Sequence, residues 1–269
     1  MSEPKGRVLI IAGSDSGGGA GVQADIKTVT ALGGYAMTAI TAITVQNTIG
    51  VSDVHPVPPS IVKGQIEAVM GDLGADAWKL GMLGSAAHVR IVVEAFYAVG
   101  DGAPVVLDPV MVAKGGASLL AKDAVAVIRD ELMPIAAIVT PNAPEAQALT
   151  GAEVRDLDGQ KRAAEILVGK LGAFSALVKG GHIEGELIRD VLLTQNGLRV
   201  FESPRIATRA THGTGCTLAS AIAAYIAQGM AIEPAVERGR GYLMEAIRHA
   251  PGLGQGHGPL GHNWPLKGG

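Results

Sequence analysis

The sequence has few of the residues that cross-link small domains or bind polyanions. It contains one cysteine, Cys216, which excludes an intramolecular disulfide and favours a reducing compartment. Aromatic residues make up 3% of the 269 residues, and no basic cluster stands out at a formal net charge of −3. The N-terminus lacks a secretory signal pattern, and the longest apolar helix candidate, residues 216–230, is shorter than a bilayer span. We therefore expect a cytoplasmic protein that binds neither nucleic acid nor a membrane.

Apolar residues and glycine are abundant, at 48% of the chain and 38 residues. Apolar runs alternate with segments of helical spacing, which predicts an α/β fold with a mostly parallel central sheet and helices on both faces. The predicted strands are residues 7–13, 35–47, 77–83, 104–110, 136–142 and 175–181. The predicted helices are 22–34, 58–74, 85–100, 118–134, 143–151, 157–172, 216–230 and 232–249.

One segment departs from this alternation. Residues 187–206 contain two β-like runs around Asn196-Gly197, a pair that favours a tight hairpin turn. The hairpin should add a small antiparallel element at one edge of the sheet. Because no linker or internal repeat occurs, we expect a single domain over residues 1–269.

The segment THGTGCTLASAIAA, residues 211–224, places a Gly-X-Gly turn directly before an apolar helix. Free N–H groups at such a helix start bind anions, and Gly213 and Gly215 let the backbone approach a phosphate. Cys216 lies in the first helical turn, where we expect its thiol pKa to be lowered. A glycine-rich helix entry with a small buried cysteine is an equally good interpretation of this segment alone.

Polar side chains stand where predicted strands end: Gln46, Asp108, Lys179, and the pair Asn142 and Glu145. Each alone is more typical of a cap or turn, and Asn142 could simply cap the helix that contains Glu145. Together they place carboxylates suited to magnesium and a lysine suited to phosphate at one sheet edge, as a phosphoryl transferase requires. The sequence contains no G-x-x-x-x-G-K-[ST] loop, and the glycine loop after the first strand, SDSGGGAG, does not match the G-x-G-x-x-G fingerprint, which disfavours an NAD-dependent dehydrogenase.

Seven segments in order resemble the hydroxymethylpyrimidine/phosphomethylpyrimidine kinases of thiamine biosynthesis, which belong to the ribokinase-like superfamily. They span the chain from about residue 7 to His262: IAGSDSGGGAGVQADIKT, VQNT, KLGML, LDPVMVAKGG, TPNAPEAQALTG, VKGGH and THGTGCTLASAIA. The resemblance implies a ribokinase-like fold with an antiparallel edge hairpin.

The resemblance also implies roles for individual residues. The turn of Gly213, Thr214, Gly215 and Cys216 looks like the anion hole for the transferring phosphoryl group, with Cys216 accepting the hydroxyl proton. Asn142 and Glu145 match the N-x-x-E motif for magnesium and phosphate, and Asp108 and Lys179 are similar to residues near the ATP phosphates, with Asp108 also a magnesium candidate. The matching substrate-pocket positions are Gly13, Asp25, Gln46, Met82 and Val110.

The activity implied is phosphorylation of 4-amino-5-hydroxymethyl-2-methylpyrimidine by ATP and Mg²⁺, and then of its monophosphate to the pyrophosphate. A pyridoxal kinase of the same superfamily is the alternative, because both substrates are flat rings with a CH₂OH arm; the amide of Gln46 favours the aminopyrimidine. A non-catalytic pyrimidine-binding regulator is a further alternative of a different class. We expect a homodimer.

Overall fold

The computed structural model describes residues 5–112, 116, 119 and 121–268. Its strands are β1 (Arg7–Asp15), β2 (Tyr35–Gln46), β3 (Val51–Pro56), β4 (Ala77–Leu80), β5 (Val105–Leu107), β6 (Ala136–Val139), β7 (Ala176–Val178), β8 (Leu187–Thr194) and β9 (Gly197–Pro204). Its α-helices are α1 (Gly21–Ala31), α2 (Pro59–Asp72), α3 (Ala86–Val99), α4 (Lys122–Val127), α5 (Ala143–Thr150), α6 (Leu157–Gly169), α7 (Thr214–Ala227) and α8 (Ile232–Arg248).

The strands form one sheet in the order β3-β2-β1-β4-β5-β6-β7-β8-β9. The six neighbouring strands β2, β1, β4, β5, β6 and β7 pair in parallel. The β8–β9 hairpin adds antiparallel strands at one edge, as predicted. At the other edge β3 pairs antiparallel with β2, which was not predicted. The side chains of β3 are all exposed or partly exposed, so this edge strand lacks the apolar pattern that reveals a strand.

The core lies on both faces of the sheet, and β1 shows why. Its successive side chains point to opposite faces: Leu9 and Ile11 pack in one apolar cluster, while Val8 and Ile10 pack in the other. Helices α2, α3, α4, α5 and α6 cover the first face, and α1, α7 and α8 cover the second. Burial on both faces explains the continuous apolar run of this strand.

Helix boundaries follow local signals in most places. Ser85 caps α3 by accepting a hydrogen bond from the amide of His88. The helix predicted over residues 118–134 is α4, which passes into a π-helical turn, Ile128–Leu132, and a 3₁₀ turn, Met133–Ile135; its predicted start at residue 118 lies outside the described residues. No helix in the described part of the chain is long and apolar enough to cross a membrane.

The parallel strands present their carboxyl ends along one edge of the sheet, where open α/β sheets bind ligands. Helices α1 and α7 both begin at this edge, α1 after a glycine loop and α7 within the Gly-X-Gly turn, whose Gly213 is its N-cap. The fold therefore brings two helix N-termini and the polar strand ends to the same place.

Candidate active site

A cavity of about 800 Å³ lies along the carboxyl edge of the sheet. Of the thirteen residues predicted for the site, all but Asp25 line it: Gly13, Gln46, Met82, Asp108, Val110, Asn142, Glu145, Lys179, Gly213, Thr214, Gly215 and Cys216. Asp25 is fully buried and reaches the site through a partner described below.

The Gly-X-Gly turn begins α7 and has no side-chain cap, so its first amides stay available for an anion. Gly213 adopts a positive φ of 80°, and a β-carbon there would overlap the carbonyl oxygen of Gly19. A β-carbon on Gly215 would stand 3.2 Å from a carboxylate oxygen of Asp108 and 3.3 Å from Nζ of Lys179. Gly213 is therefore required by the backbone conformation, whereas a side chain at Gly215 would press on the ion pair that it faces.

Lys179 and Asp108 form that ion pair, with Nζ 2.8 Å from Oδ1. Their side chains are 13% and 3% exposed, so little solvent screens the pair. Burial alone would lower the pKa of Lys179, but the charges of Asp108 and Glu145 outweigh it and raise that pKa. The lysine is therefore a cation beside the Gly-X-Gly turn.

Asn142 and Glu145 form a reciprocal capping box at the start of α5. The side chain of Asn142 accepts from the amide of Glu145 at 3.0 Å, and the carboxylate of Glu145 accepts from the amide of Asn142 at 2.8 Å. Burial raises the pKa of Glu145 to about 7; Lys179 opposes the shift and Asp108 adds to it. The capping role considered from the sequence is thus real, and both side chains also line the cavity.

Asp25 belongs to a buried network beneath the cavity. One carboxylate oxygen accepts from Nζ of Lys79 at 2.8 Å, and the other accepts from the hydroxyl of Ser220 at 2.7 Å. Lys79 is fully buried yet lines the cavity, whereas Asp25 does not. In the structure Asp25 therefore holds a cavity-lining cation in place.

The expectation that Cys216 has a lowered thiol pKa is wrong. Burial raises the pKa of Cys216 to about 12, and the carboxylates of Asp25 and Asp108 add to that shift. The charge of Lys79 and a hydrogen bond from the amide of Gly21 oppose it without cancelling it. The local effect of the helix terminus is outweighed by desolvation and by carboxylates from other elements, so the resting cysteine is a thiol near neutral pH.

The two ends of the cavity differ in chemistry. Near β1, β2 and β4 it is lined by Gly13, Gln46 and Met82, which combine an amide with apolar surface. Toward α8 it is lined by apolar side chains and by Arg240, which pairs with Asp190 at 2.7 Å. The apolar residues of that end are Ile188, Ile206, Leu243, Met244 and Ile247.

Sequence reasoning missed many of the cavity residues, among them three with ionisable side chains: Asp15, Lys79 and His212. Asp15 directly precedes the glycine loop, and aspartate before glycines is a known signal for a carboxylate that orders a turn. Lys79 stands inside an apolar strand, where a charged residue indicates a buried partner. His212 had no signal of its own beyond its position before Gly213.

A mostly parallel sheet with an antiparallel edge, and a cavity that joins a helix start without a side-chain cap to a buried Lys–Asp pair, are typical of a small-molecule kinase of the ribokinase-like class. The chain belongs to the phosphomethylpyrimidine kinase family, whose model matches residues 15–261. It is therefore a phosphotransferase, for which membership implies ATP as a substrate, and a non-catalytic regulator is not supported.

Relatives of known function cover nearly the whole chain. It is 50% identical over 259 residues to the thiamine biosynthesis bifunctional protein ThiED of Geobacter sulfurreducens. The matched region covers 96% of this chain but only 52%, about half, of that protein. It is 45% identical over 266 residues to the hydroxymethylpyrimidine/phosphomethylpyrimidine kinase of Haemophilus influenzae, 97% of this chain and 98% of that one. The solved ADP complex of Bacillus subtilis pyridoxal kinase matches with a TM-score of 0.89 at 34% identity, over 98% of this chain and 100% of that chain.

Proposed function

We propose that this kinase transfers the γ-phosphoryl group of ATP to the hydroxymethyl oxygen of 4-amino-5-hydroxymethyl-2-methylpyrimidine, and then phosphorylates the monophosphate to the pyrophosphate. The observation that carries the proposal is that one cavity holds both the amide of Gln46, suited to an aminopyrimidine edge, and the Gly-X-Gly turn that begins α7, suited to a phosphate. The names of the two curated relatives support the same chemistry.

The pyrimidine ring occupies the end of the cavity near β1, β2 and β4 in this proposal. Gln46 offers an amide oxygen and an amide N–H, which complement an exocyclic amine and a ring nitrogen. Gly13, Met82 and Val110 supply flat and apolar surroundings for the ring. The carboxylate of Asp25 does not line the cavity; it holds the ammonium group of the cavity-lining Lys79 through a hydrogen bond.

The nucleotide occupies the other end. The adenine ring packs on the apolar side chains near α8, and the phosphates reach Lys179 and the turn of Gly213, Thr214, Gly215 and Cys216. Phosphoryl transfer passes through a loose transition state, so positioning and charge stabilisation dominate. The backbone amides of the turn and the ammonium of Lys179 stabilise the transferring group, and they are fixed before the reaction starts.

Magnesium fits the carboxylates at the centre of the cavity. Within the described residues no three His, Cys, Asp or Glu side chains are grouped to hold a metal. Magnesium instead commonly binds one or two carboxylates together with substrate phosphates and water, and Asp108 and Glu145 both line the cavity. These two residues would hold the ion, which would neutralise phosphate charge when bound. Asn142 would support it by fixing Glu145 through the capping box.

A pyridoxal kinase is the second candidate, favoured by the structural match to the Bacillus subtilis pyridoxal kinase. Its substrate would present the same CH₂OH arm to the anion-binding turn. The amide of Gln46 distinguishes the candidates, because a pyridoxal ring has no exocyclic amine to pair with it. We therefore place the pyrimidine first.

Assembly and location complete the proposal. A homodimer is supported by large apolar side chains that are exposed along β2 and after it: Ile43, Val45 and Ile49 are 53%, 58% and 67% exposed. Light scattering on the purified protein would measure its mass and test the dimer. A cytoplasmic location is supported by the single thiol at the site, which a reducing compartment protects.

A coupled ADP-release assay tests the activity. We expect ADP release with the pyrimidine alcohol and, separately, with its monophosphate. Lys179→Met provides the control, because it removes the cation at the anion-binding turn and should abolish both signals. Release with neither substrate, in protein shown to be folded, would contradict the proposal.

A further inference from the structure

Three cavity-lining side chains from distant segments meet beside the anion-binding turn: Asp15, Gln46 and His212. Asp15 is 2% exposed and His212 is 6% exposed. Nε2 of His212 lies 2.8 Å from Oδ2 of Asp15 and 3.3 Å from the amide nitrogen of Gln46. The phosphoryl-transfer chemistry described above uses neither Asp15 nor His212, so their burial in the site requires another explanation.

The hydrogen bonds of Asp15 fix the proton on His212. The carboxylate accepts from the backbone amides of Gly17 at 2.8 Å, Gly19 at 3.0 Å and Ala20 at 2.8 Å. Burial alone would raise the pKa of Asp15, but the His212 hydrogen bond and these amides outweigh it and lower that pKa. An ionised carboxylate only accepts hydrogen bonds, so Nε2 of His212 carries a proton and donates it.

The hydroxyl of Thr44 fixes the other side of the Gln46 amide. It lies 2.8 Å from the carbonyl oxygen of Ser14 and 3.1 Å from the amide oxygen of Gln46. A hydroxyl has one proton, and the closer carbonyl can only accept it. The oxygen of Thr44 therefore faces Gln46 as an acceptor. The proton of His212 points to the closer Asp15, so Nε2 has no lone pair left to accept from Gln46 and can only share that proton with it at 3.3 Å.

Only one orientation of the amide satisfies both neighbours. With its oxygen toward Thr44 and its nitrogen toward His212, an acceptor faces an acceptor and a donor faces a donor. Turning the amide by about 180° lets its NH₂ donate to Thr44 and places its carbonyl oxygen where it accepts the longer branch of the hydrogen bond that His212 shares with Asp15. One N–H and one lone pair of the amide then remain for the cavity.

The backbone of Gln46 is held as firmly as its side chain. The main-chain N–H of Gln46 donates to the hydroxyl of Ser16 at 2.8 Å, and that hydroxyl donates to the main-chain carbonyl of Gln46 at 2.6 Å. Since Ser16 follows Asp15 directly, the glycine loop fixes the main chain of Gln46 and, through His212, its amide.

We propose that His212, anchored by Asp15, is a specificity-determining positioning residue that orients the Gln46 amide to present a donor and an acceptor to an aminopyrimidine edge. This inference rests on the proposed function, in which that amide recognises the substrate ring. His212 also precedes Gly213, so the same residue joins ring recognition to the anion-binding turn. A pyridoxal-type ring, without an exocyclic amine, gains less from a fixed amide.

The test compares kcat/KM for the pyrimidine alcohol and for pyridoxal in wild-type protein and in His212→Phe, which keeps a ring but loses the N–H. We expect kcat/KM for the pyrimidine to fall about tenfold or more, mostly through KM, as for loss of a buried polar contact. The value for pyridoxal should change less than about threefold, and KM for ATP should stay unchanged. His212→Gln, which keeps an N–H donor, should recover most of the wild-type ratio.

His249→Phe is the matched control, because this histidine is half exposed, stacks on Trp264 and does not line the cavity. This variant should leave the ratio of kcat/KM for the pyrimidine alcohol to kcat/KM for pyridoxal unchanged. Equal losses for both substrates in His212→Phe, with no recovery in His212→Gln, would overturn the inference and leave His212 a structural residue. The proposed function is judged separately, by which alcohol the wild-type protein prefers. If His212→Phe does not fold, Asp15→Asn removes the anchoring charge, and the same shift in ratio is expected.

Discussion

Replacing Cys216 by alanine should slow both phosphorylation steps by a similar and modest factor. With a thiol pKa of about 12, the thiolate at pH 7.5 costs roughly 6 kcal/mol to form. A general base contributes ~10²–10⁴-fold, which is about 3–5 kcal/mol. The cost exceeds the gain, so the structure favours a thiol that shapes the anion hole over a thiolate that accepts the substrate proton.

The two substrates separate these roles. The alcohol must lose a proton, whereas the monophosphate has a second pKa near 6, taking phosphorylated side chains as the model, and its attacking oxygen is already largely anionic at pH 7. A base would therefore assist only the first step. A residue that shapes the anion hole affects both steps, and we expect losses under ~10-fold because the backbone donors remain.

Single-turnover rates with saturating ATP would measure both steps in wild type, Cys216→Ala and Cys216→Ser. The serine variant keeps a small hydrogen-bonding group but has no accessible anion, so it should stay close to wild type in both steps. Circular dichroism would establish that each variant is folded. If alanine and serine both slow the alcohol step by ~10²-fold or more and spare the monophosphate step, Cys216 accepts the proton and the reasoning is refuted.

Three further results are expected. Gln46→Leu should weaken pyrimidine binding by ~1–3 kcal/mol and leave ATP binding unchanged in calorimetry, and equal losses would assign Gln46 a structural role. Glu145→Gln should raise the magnesium concentration for half-maximal rate while keeping the melting temperature, because glutamine preserves the capping box; an unchanged magnesium dependence would remove Glu145 from the metal site. Burial, with the charge of Lys27 adding, lowers the pKa of His262 from 6.5 to about 4. As pH falls from 6.5 to 4 only the unfolded chain gains this proton, so urea unfolding should show up to ~3 kcal/mol of lost stability that His262→Gln does not show.

The sheet and the polar strand ends that line the cavity could be predicted from sequence because their signals are local, whereas Gly13, Met82 and Val110 were implied only by the family resemblance. An apolar run buried on both faces identified β1, and polar residues at strand ends identified Asp108 and Lys179. The carboxyl ends of parallel strands share an edge, so these residues had to converge. The edge strand β3 escaped because its partly exposed side chains follow no apolar period.

The remaining features depend on partners far away in the chain. Asp25 and Lys79 are 54 residues apart, and Asp15 and His212 are 197 residues apart, so neither pair leaves a pattern in a local window. The prediction of a lowered thiol pKa for Cys216 was wrong for the same reason. The helix start is visible in the sequence, but the burial and the carboxylates that outweigh it come from tertiary packing.

The central claim is that this cavity phosphorylates an aminopyrimidine alcohol twice, in preference to a pyridoxal-type alcohol. A competition reaction tests it most directly, with both alcohols at equal concentration, excess ATP and products followed by mass spectrometry, since product ratios under competition report the ratio of kcat/KM. The account predicts early pyrimidine monophosphate, its conversion to the pyrophosphate, and little pyridoxal phosphate until the pyrimidine is consumed. Pyridoxal phosphate as the dominant early product, or a pyrimidine that stops at the monophosphate, would contradict it.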